Sequence, residues 1–151
     1  MLDIGAGTGA FLNELKLAGH NVVGIEPDSD AVQVAMHKYG ITLLPEYELL
    51  KFEPESFDVI TMWHVLEHVP LLQKRVEELS KLLSPKGAIF IAVPNHESYD
   101  ASYYGKYWAA YDVPRHLYHF DKQTIVRLFD LFNLELYEIK TMPSTVFMFL
   151  C

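Results

Sequence analysis

Cysteine is nearly absent from this chain: of 151 residues, only Cys151 carries a thiol. One thiol forms no internal disulfide, so the fold must rest on its packed core, as it would in a reducing compartment. As the last residue, Cys151 reads as buried strand or frayed end rather than as a nucleophile. Long apolar runs are missing too. Stretches such as Val146–Cys151 fall far short of the roughly 18 to 20 residues that cross a bilayer, and no charged-then-apolar leader opens the sequence. Basic charge is scarce, with 12 Lys and Arg against 20 Asp and Glu and a formal net charge of −8. Nucleic-acid binding rests on clustered Lys and Arg, so neither DNA nor RNA is expected as a partner. The chain also lacks Gly/Ser-rich, Pro-rich and repetitive tracts, which favours a globular protein over a disordered one and leaves no visible linker. Half of the residues are hydrophobic, and the length suits a single domain over 1–151 with a real core. A soluble, cytoplasmic protein is expected, with its oligomeric state open.

The pattern that fills this frame alternates strands with helices. Met1–Ile4 reads as a short strand that runs into a turn at Gly5-Ala6-Gly7-Thr8-Gly9. A helix follows over Ala10–Ala18, with Phe11, Leu12, Leu15 and Ala18 at helical spacing and Gly19 as its stop. A second strand, Asn21–Glu26, leads through Pro27 to a helix capped by Asp28 or Ser29 and ended by Gly40. Ile41–Leu44 reads as a third strand halted by Pro45, Phe57–Met62 as a fourth and Ala88–Val93 as a fifth. A helix over Pro70–Leu83 lies between the last two. One more helix near Lys122–Phe132 precedes two terminal strands, Leu134–Lys140 and Val146–Leu150, whose short link through Pro143-Ser144 suits an antiparallel pair. Such alternation, with nearly continuous apolar strands, is the pattern of an α/β fold built on a parallel sheet covered on both faces.

The glycine turn carries the first chemical signal. Its glycines remove side chains where the backbone must turn sharply and approach a ligand, and Asp3 sets a carboxylate just before it. The same letters fit a dinucleotide fingerprint. Glu26 stands 21 positions after Gly5, at the end of the second strand, where a carboxylate can accept hydrogen bonds from ribose hydroxyls. Pro27 would then offer a flat apolar surface to adenine.

Taken together, Leu2-Asp3-Ile4-Gly5-Ala6-Gly7-Thr8-Gly9, Gly24-Ile25-Glu26-Pro27, Phe57-Asp58-Val59-Ile60 and Leu83-Ser84-Pro85-Lys86-Gly87 resemble the class I S-adenosylmethionine-dependent methyltransferases. Trp63-His64-Val65-Leu66-Glu67-His68-Val69 and the segment Trp108–Phe120 narrow the resemblance to a branch similar to the bacterial ubiquinone-biosynthesis O-methyltransferases. The resemblance implies a Rossmann-like, mostly parallel seven-stranded sheet with helices on both faces and an antiparallel last strand. It implies S-adenosylmethionine as cofactor, held by Asp3, Gly5, Ala6, Gly7, Glu26 and Pro27, with Trp63 and His64 nearby. The acceptor implied is a small molecule, methylated on a hydroxyl oxygen. A hydroxyl must lose a proton, which suits a histidine with a pKa near 6.5, and His64, His116 and His119 are the candidates. The sequence departs from the family after the third strand, where Pro45-Glu46-Tyr47-Glu48 replaces the usual acidic turn against adenine; Glu46 and Glu48 both stay open. The family usually starts its first strand earlier and adds a covering N-terminal helix, so a truncated start is expected, and truncation at the C-terminus is left open.

Two further segments call for a role. His64-Val65-Leu66-Glu67-His68 spells the inverted zinc-peptidase pattern H-x-x-E-H, but it follows a strand and meets Pro70 almost at once, whereas that chemistry needs a helix. Some ubiquinone-biosynthesis relatives place Glu-x-x-Glu-His here and are thought to bind a divalent cation. His64, Glu67 and His68 are therefore metal candidates, although a cation is not expected. Six of the nine tyrosines lie between Tyr99 and Phe120, with Trp108, Arg115, His116 and His119, and residues 99–120 read as an insertion covering the substrate. Asp112 and Arg115 in it are placed to pair with each other. Two rival readings remain: a nicotinamide oxidoreductase, resting on the glycine match alone, and a non-catalytic cofactor-binding or partner domain of the same fold.

Overall fold

The structure is a computed structural model that describes residues 1–140 in full and the backbone of 141 and 146–150. The expected link through Pro143-Ser144 and the expected place of Cys151 lie outside the described residues. Six strands are formed among the described residues: β1 (Leu2–Ile4), β2 (Val23–Ile25), β3 (Phe57–Trp63), β4 (Leu83–Pro94), β5 (Glu138–Thr141) and β6 (Val146–Leu150). Five α-helices accompany them among the described residues: α1 (Ala10–Leu17), α2 (Ser29–Tyr39), α3 (Leu72–Leu82), α4 (Tyr99–Tyr104) and α5 (Lys122–Asp130). The strand order is β2-β1-β3-β4-β6-β5. The chain divides into two compact units, Met1–Trp63 with Lys81–Ala88, and His64–Ser80 with the chain from Ile89 onward; β4 contributes to both.

In the first unit β1 pairs parallel with both β2 and β3, placing Asp3 opposite Gly24 on one side and Thr61 on the other. Leu2, Ile4, Ile25, Ile60 and Met62 are buried, as expected of strands whose two faces are both covered. α2 follows the sequence rules closely. The Asp28 side chain caps it by accepting from the backbone N–H groups of Asp30 and Ala31, and Gly40 ends it in the left-handed conformation at φ 60°. Beneath these helices Ala6, Leu12, Ala35, Ile41 and Leu43 form one buried cluster. In the second unit β6 pairs antiparallel with β4 and with β5. There α5 opens on a reciprocal cap, in which Asp121 and Thr124 each accept from the other's backbone N–H.

The expected seven strands become six among the described residues. Ile41–Leu44 is no strand but a single parallel bridge from Leu44 to Ile25. Leu44 N–H donates to the Gly24 carbonyl at 2.8 Å and its own carbonyl accepts from Glu26 at 2.9 Å; Pro45 then has no N–H with which to extend the ladder. The expected alternation survives without the strand, since Ile41 and Leu43 are buried and Thr42 is exposed. β4 is longer than the expected Ala88–Val93, because Ser84-Pro85-Lys86-Gly87 continues the strand instead of turning. Residues 46–51 form a 3₁₀ helix.

Gly24 lies where the backbone of β2 meets this cluster. A Cβ there would collide with Leu12 Cδ1 and Leu43 Cδ2 and would stand 3.2 Å from Ala6 Cβ. Overpacking of this kind costs roughly 1–3 kcal/mol. Gly24→Ala is therefore expected to lower the thermal midpoint by several degrees, with α2 and the Glu26 region losing hydrogen-exchange protection first; an unchanged midpoint would contradict the packing described.

Candidate functional site

The first unit gathers the residues around the glycine turn. Gly5, Gly7 and Gly9 all have positive φ, at 74°, 53° and 74°. The turn is fastened to β2 by two hydrogen bonds to one acceptor: Gly5 and Ala6 N–H donate to the Ile25 carbonyl at 2.8 and 3.0 Å. Glu26 completes the fastening. Its Oε2 accepts from Gly7 N–H at 2.7 Å and its Oε1 from Asp28 N–H at 2.9 Å. A carboxylate has about four lone-pair sites, so two remain for hydroxyl donors. A Cβ at Gly7 would meet no atom within 4 Å, which leaves that face of the turn open to a ligand. Pro27 follows, exposed.

Asp3 is only 1% exposed. Its Oδ1 accepts from the Thr61 hydroxyl at 2.6 Å. Burial pushes its carboxyl from 3.8 up to about 6, against the lowering effect of the Thr61 hydrogen bond and with a further rise from the nearby negative charge of Glu26. Thr61 is a site residue that sequence reasoning missed; its one trace is a hydroxyl within the apolar run Val59-Ile60-Thr61-Met62. At the end of β3, Trp63 packs against the Phe11 ring, edge to face at 5.5 Å, and its buried Nε1 has no hydrogen-bond partner among the described residues. Of the two acids left open for adenine, Glu48 pairs with Lys51 Nζ at 2.6 Å, and Glu46 is exposed.

The second unit holds the histidines. His64 follows β3 in the left-handed conformation, at φ 57°, which is uncommon for a side chain with a Cβ. Its backbone N–H donates to the Ala92 carbonyl at 2.9 Å, and its ring, half exposed, sets Nδ1 3.7 Å from Glu67 Oε1. Glu67 lies in a 3₁₀ turn, Leu66–His68. Residues 109–118 bind back onto that turn: Leu117 N–H donates to the Glu67 carbonyl at 2.8 Å, and Tyr118 Oη to the Pro70 carbonyl at 3.1 Å. His116 points its Nε2 toward Glu67 Oε1 at 4.0 Å. His119 packs edge to face on Tyr111, which packs in the same way on Trp108. Desolvation, then the neighbouring His116 and His96 charges, hold the His119 pKa below its ordinary 6.5. Asp112 Oδ1 takes both Nε and Nη2 of Arg115 at 3.0 and 2.7 Å, the pairing expected.

The candidate metal residues sort differently from their spacing in sequence. Glu67, His68 and His116 each offer a ligand atom within 4.8 Å of the others, whereas His64 is not one of that group. The sequence pattern offers His116 only as a candidate base, and the fold brings it beside Glu67 and His68. Residues 99–120 contain α4, short 3₁₀ turns and a set of exposed rings, Tyr99, Tyr103, Tyr104 and Tyr107. No helix among the described residues is long and apolar enough to cross a membrane.

A parallel α/β sheet, a glycine turn after its first strand and an acid closing its second define a nucleotide-cofactor domain. A family profile described as a methyltransferase domain matches residues 1–139; the chain belongs to that family, in the class that uses S-adenosylmethionine. Among curated proteins it is similar to a ubiquinone biosynthesis O-methyltransferase of Paraburkholderia phymatum, 34% identical over 124 residues, which span 76% of this chain and 53% of that protein. The chain thus spans about half the length of the curated relatives it matches. Among solved structures it is similar to an S-adenosylmethionine-dependent methyltransferase of Methanosarcina mazei, with a TM-score of 0.78 at 20% identity, covering 99% of this chain and 89% of that one. The magnesium protoporphyrin IX methyltransferase of Synechocystis, solved with bound S-adenosylhomocysteine, gives 0.78 at 15% identity, covering 99% and 71%. At such identities the solved structures bear on the fold alone.

The raised Asp3 carboxyl has a consequence for stability. Its folded-state value lies above its unfolded value, so the fold holds the proton more tightly, and stability falls as pH rises from about 4 through about 6. A displacement of that size corresponds to roughly 3 kcal/mol once the group is ionised. Asp3→Asn, which keeps the acceptor for Thr61, is expected to be more stable than the parent in denaturant titrations at pH 8 and equal to it near pH 4. A variant less stable at pH 8 would contradict this.

Proposed function

We propose that this chain is a single catalytic domain that binds S-adenosylmethionine on the Gly5–Gly9 turn and transfers its methyl group to a hydroxyl oxygen of a small molecule. The reading is carried by one observation: the Glu26 carboxylate, fastened to the N–H of Gly7 and of Asp28, keeps acceptor capacity at the end of β2, where ribose hydroxyls bind in folds of this topology. In this proposal the methionine end lies against Gly5, Ala6 and Gly7 with Asp3 toward its ammonium group. Pro27 faces adenine, and the unpartnered Trp63 indole N–H is a further donor. A relative's description as a ubiquinone biosynthesis O-methyltransferase supports oxygen as the methylated atom.

In the reaction the acceptor oxygen attacks the methyl carbon in line with the departing sulfur. The C–O bond forms as the C–S bond breaks, the sulfonium becomes a neutral thioether, and the hydroxyl proton leaves for a base. Alignment alone can supply about 7–11 kcal/mol. His64, His116 and His119 are the candidate bases; of the three, His116 is the least exposed. The aromatic segment 99–120 is the proposed cover for the acceptor.

S-adenosylhomocysteine titrated calorimetrically into the protein should bind with one-to-one stoichiometry. Glu26→Gln and Glu26→Ala should weaken binding about 10- to 100-fold, the worth of a charge-assisted hydrogen bond. A thermal-melting control separates that loss from an unfastened turn. Absence of binding at millimolar ligand would reject the assignment. Binding without methyl transfer to any hydroxyl, carboxyl, amine or carbon acceptor would favour a non-catalytic domain of this fold.

A further inference from the structure

Thr61 is a polar residue in the middle of β3 to which the cofactor reading gives no task. It is 3% exposed, between Ile60 and Met62, which are fully buried, and a hydroxyl in such a place is costly unless it is bonded. The register of β3 against β1 sets it directly opposite Asp3. Its Oγ1 stands 2.6 Å from Asp3 Oδ1 and 3.4 Å from the Leu2 carbonyl. A hydroxyl has one hydrogen to give and two lone pairs with which to accept. The shorter contact has the length of a hydrogen bond to an ionised carboxylate, so the hydrogen goes to Asp3. When Asp3 carries a proton the roles reverse: Asp3 donates to Oγ1, and the Thr61 hydrogen turns to the Leu2 carbonyl. Thr61 therefore serves Asp3 in both protonation states, which valine, of nearly the same shape, does not.

Among the described residues no basic group acts on Asp3. Burial first, and then the like charge of Glu26 at the end of β2, raise its carboxyl to about 6, and the Thr61 hydrogen bond is the influence that lowers it. On its other side β2 presents Gly24, and the first turn of α1, Ala10–Asn13, holds no charged residue. Two positions after Asp3 the chain enters the glycine turn, where a Cβ at Gly7 would meet no atom within 4 Å. Two acids that share no basic partner, beside an open turn, are matched to a ligand that brings a positive group of its own.

We propose, resting on the S-adenosylmethionine reading above, that Thr61 is a positioning residue for the cofactor's amino-acid end. Its hydroxyl occupies Oδ1 of Asp3, keeps Oδ2 for the ligand's ammonium group and favours the ionised carboxylate, so that cofactor binding is gated by the loss of one proton from Asp3. In acid the ammonium meets a neutral carboxyl and has no partner. At higher pH the ion pair forms, and the ligand's charge keeps the proton off. The sign is opposite to that of stability: protonation of Asp3 stabilises the fold, so acid favours the folded protein while it disfavours the ligand. A Thr61 that merely filled space would leave binding and stability to move together.

The test is S-adenosylhomocysteine binding, measured by calorimetry from about pH 5 to about pH 8, with thermal melting followed in the same buffers. The parent's affinity is expected to be level above a midpoint near pH 6. Below it, affinity should fall about tenfold per pH unit, the signature of one linked proton, while the melting temperature does not fall with it. Thr61→Val should move the midpoint up by about one pH unit, the worth of a hydrogen bond to a carboxylate. Thr61→Ser, which keeps the hydroxyl, should bring it back toward that of the parent. Should Thr61→Val not fold, Thr61→Cys, a weak donor of similar size, takes its place with the same upward direction expected. Asp3→Asn should bind more weakly at pH 8 and lose the acid limb. Methylthioadenosine, which has the nucleoside and the sulfur but no amino group, should bind the parent without an acid limb. Parent affinity for S-adenosylhomocysteine that is independent of pH would overturn the proposal and leave the cofactor reading standing. So would a midpoint unmoved in the hydroxyl-free variant, or one that Thr61→Ser does not restore. Absence of binding at every pH would reject the cofactor reading and this proposal with it.

Discussion

The Glu26 carboxylate holds the first unit's site in shape. Three chain segments meet on it: the strand end that carries it, the glycine turn through Gly7 N–H, and the start of α2 through Asp28 N–H. Asp28 in turn caps α2, so a single side chain links the position of the turn to the entry of the helix. The arrangement also orients charge. Backbone N–H groups at a turn and a helix start favour an anion, and Glu26 satisfies that preference from within the protein. What is left for a ligand is hydrogen-bond acceptors rather than donors, which is better matched to ribose hydroxyls than to a diphosphate.

Asp3 shows the same tension between stability and use. A carboxylate at the centre of a parallel sheet, opposite Gly24 and Thr61, weakens the fold at neutral pH, as its raised pKa shows. It stands beside an open glycine turn, where a positively charged ligand group would offset the cost of its ionisation. The second unit presents a corresponding case in Glu67, buried and without a hydrogen-bond partner among the described residues, with His64 Nδ1 and His116 Nε2 3.7 and 4.0 Å away. Both acids are buried, and buried ionisable groups of this kind cluster at functional sites.

Much of this was legible in the sequence because local rules agreed with the global fold. The glycine turn, the Asp28 cap and the Gly40 stop each follow from residue chemistry within a few positions, and they place β1, α1, β2 and α2 nearly as read. Legibility failed where non-local pairing decided. Ile41–Leu44 has the alternation of a strand, but strand formation needs a run of paired backbone groups, and Pro45 leaves only one bridge. Ser84-Pro85-Lys86-Gly87 has the letters of a turn, yet it runs extended, with Ser84 Oγ donating to Asp58 Oδ1 at 3.1 Å. The candidate site divides in the same way. Gly5, Gly7 and Glu26 come together as their spacing in a strand-turn-helix unit requires. Thr61 depends on the register of β3 against β1, and His116 depends on a turn that folds back nearly 50 residues later, which no spacing in the sequence reveals.

The most direct test of the central claim is a crystal structure of this chain with S-adenosylhomocysteine. It should show both ribose hydroxyls within hydrogen-bond distance of the Glu26 carboxylate, with the Gly7 contact kept and the amino-acid end of the ligand against Gly5–Gly7. A ligand bound elsewhere, or a Glu26 side chain turned away from the ribose, would contradict the account.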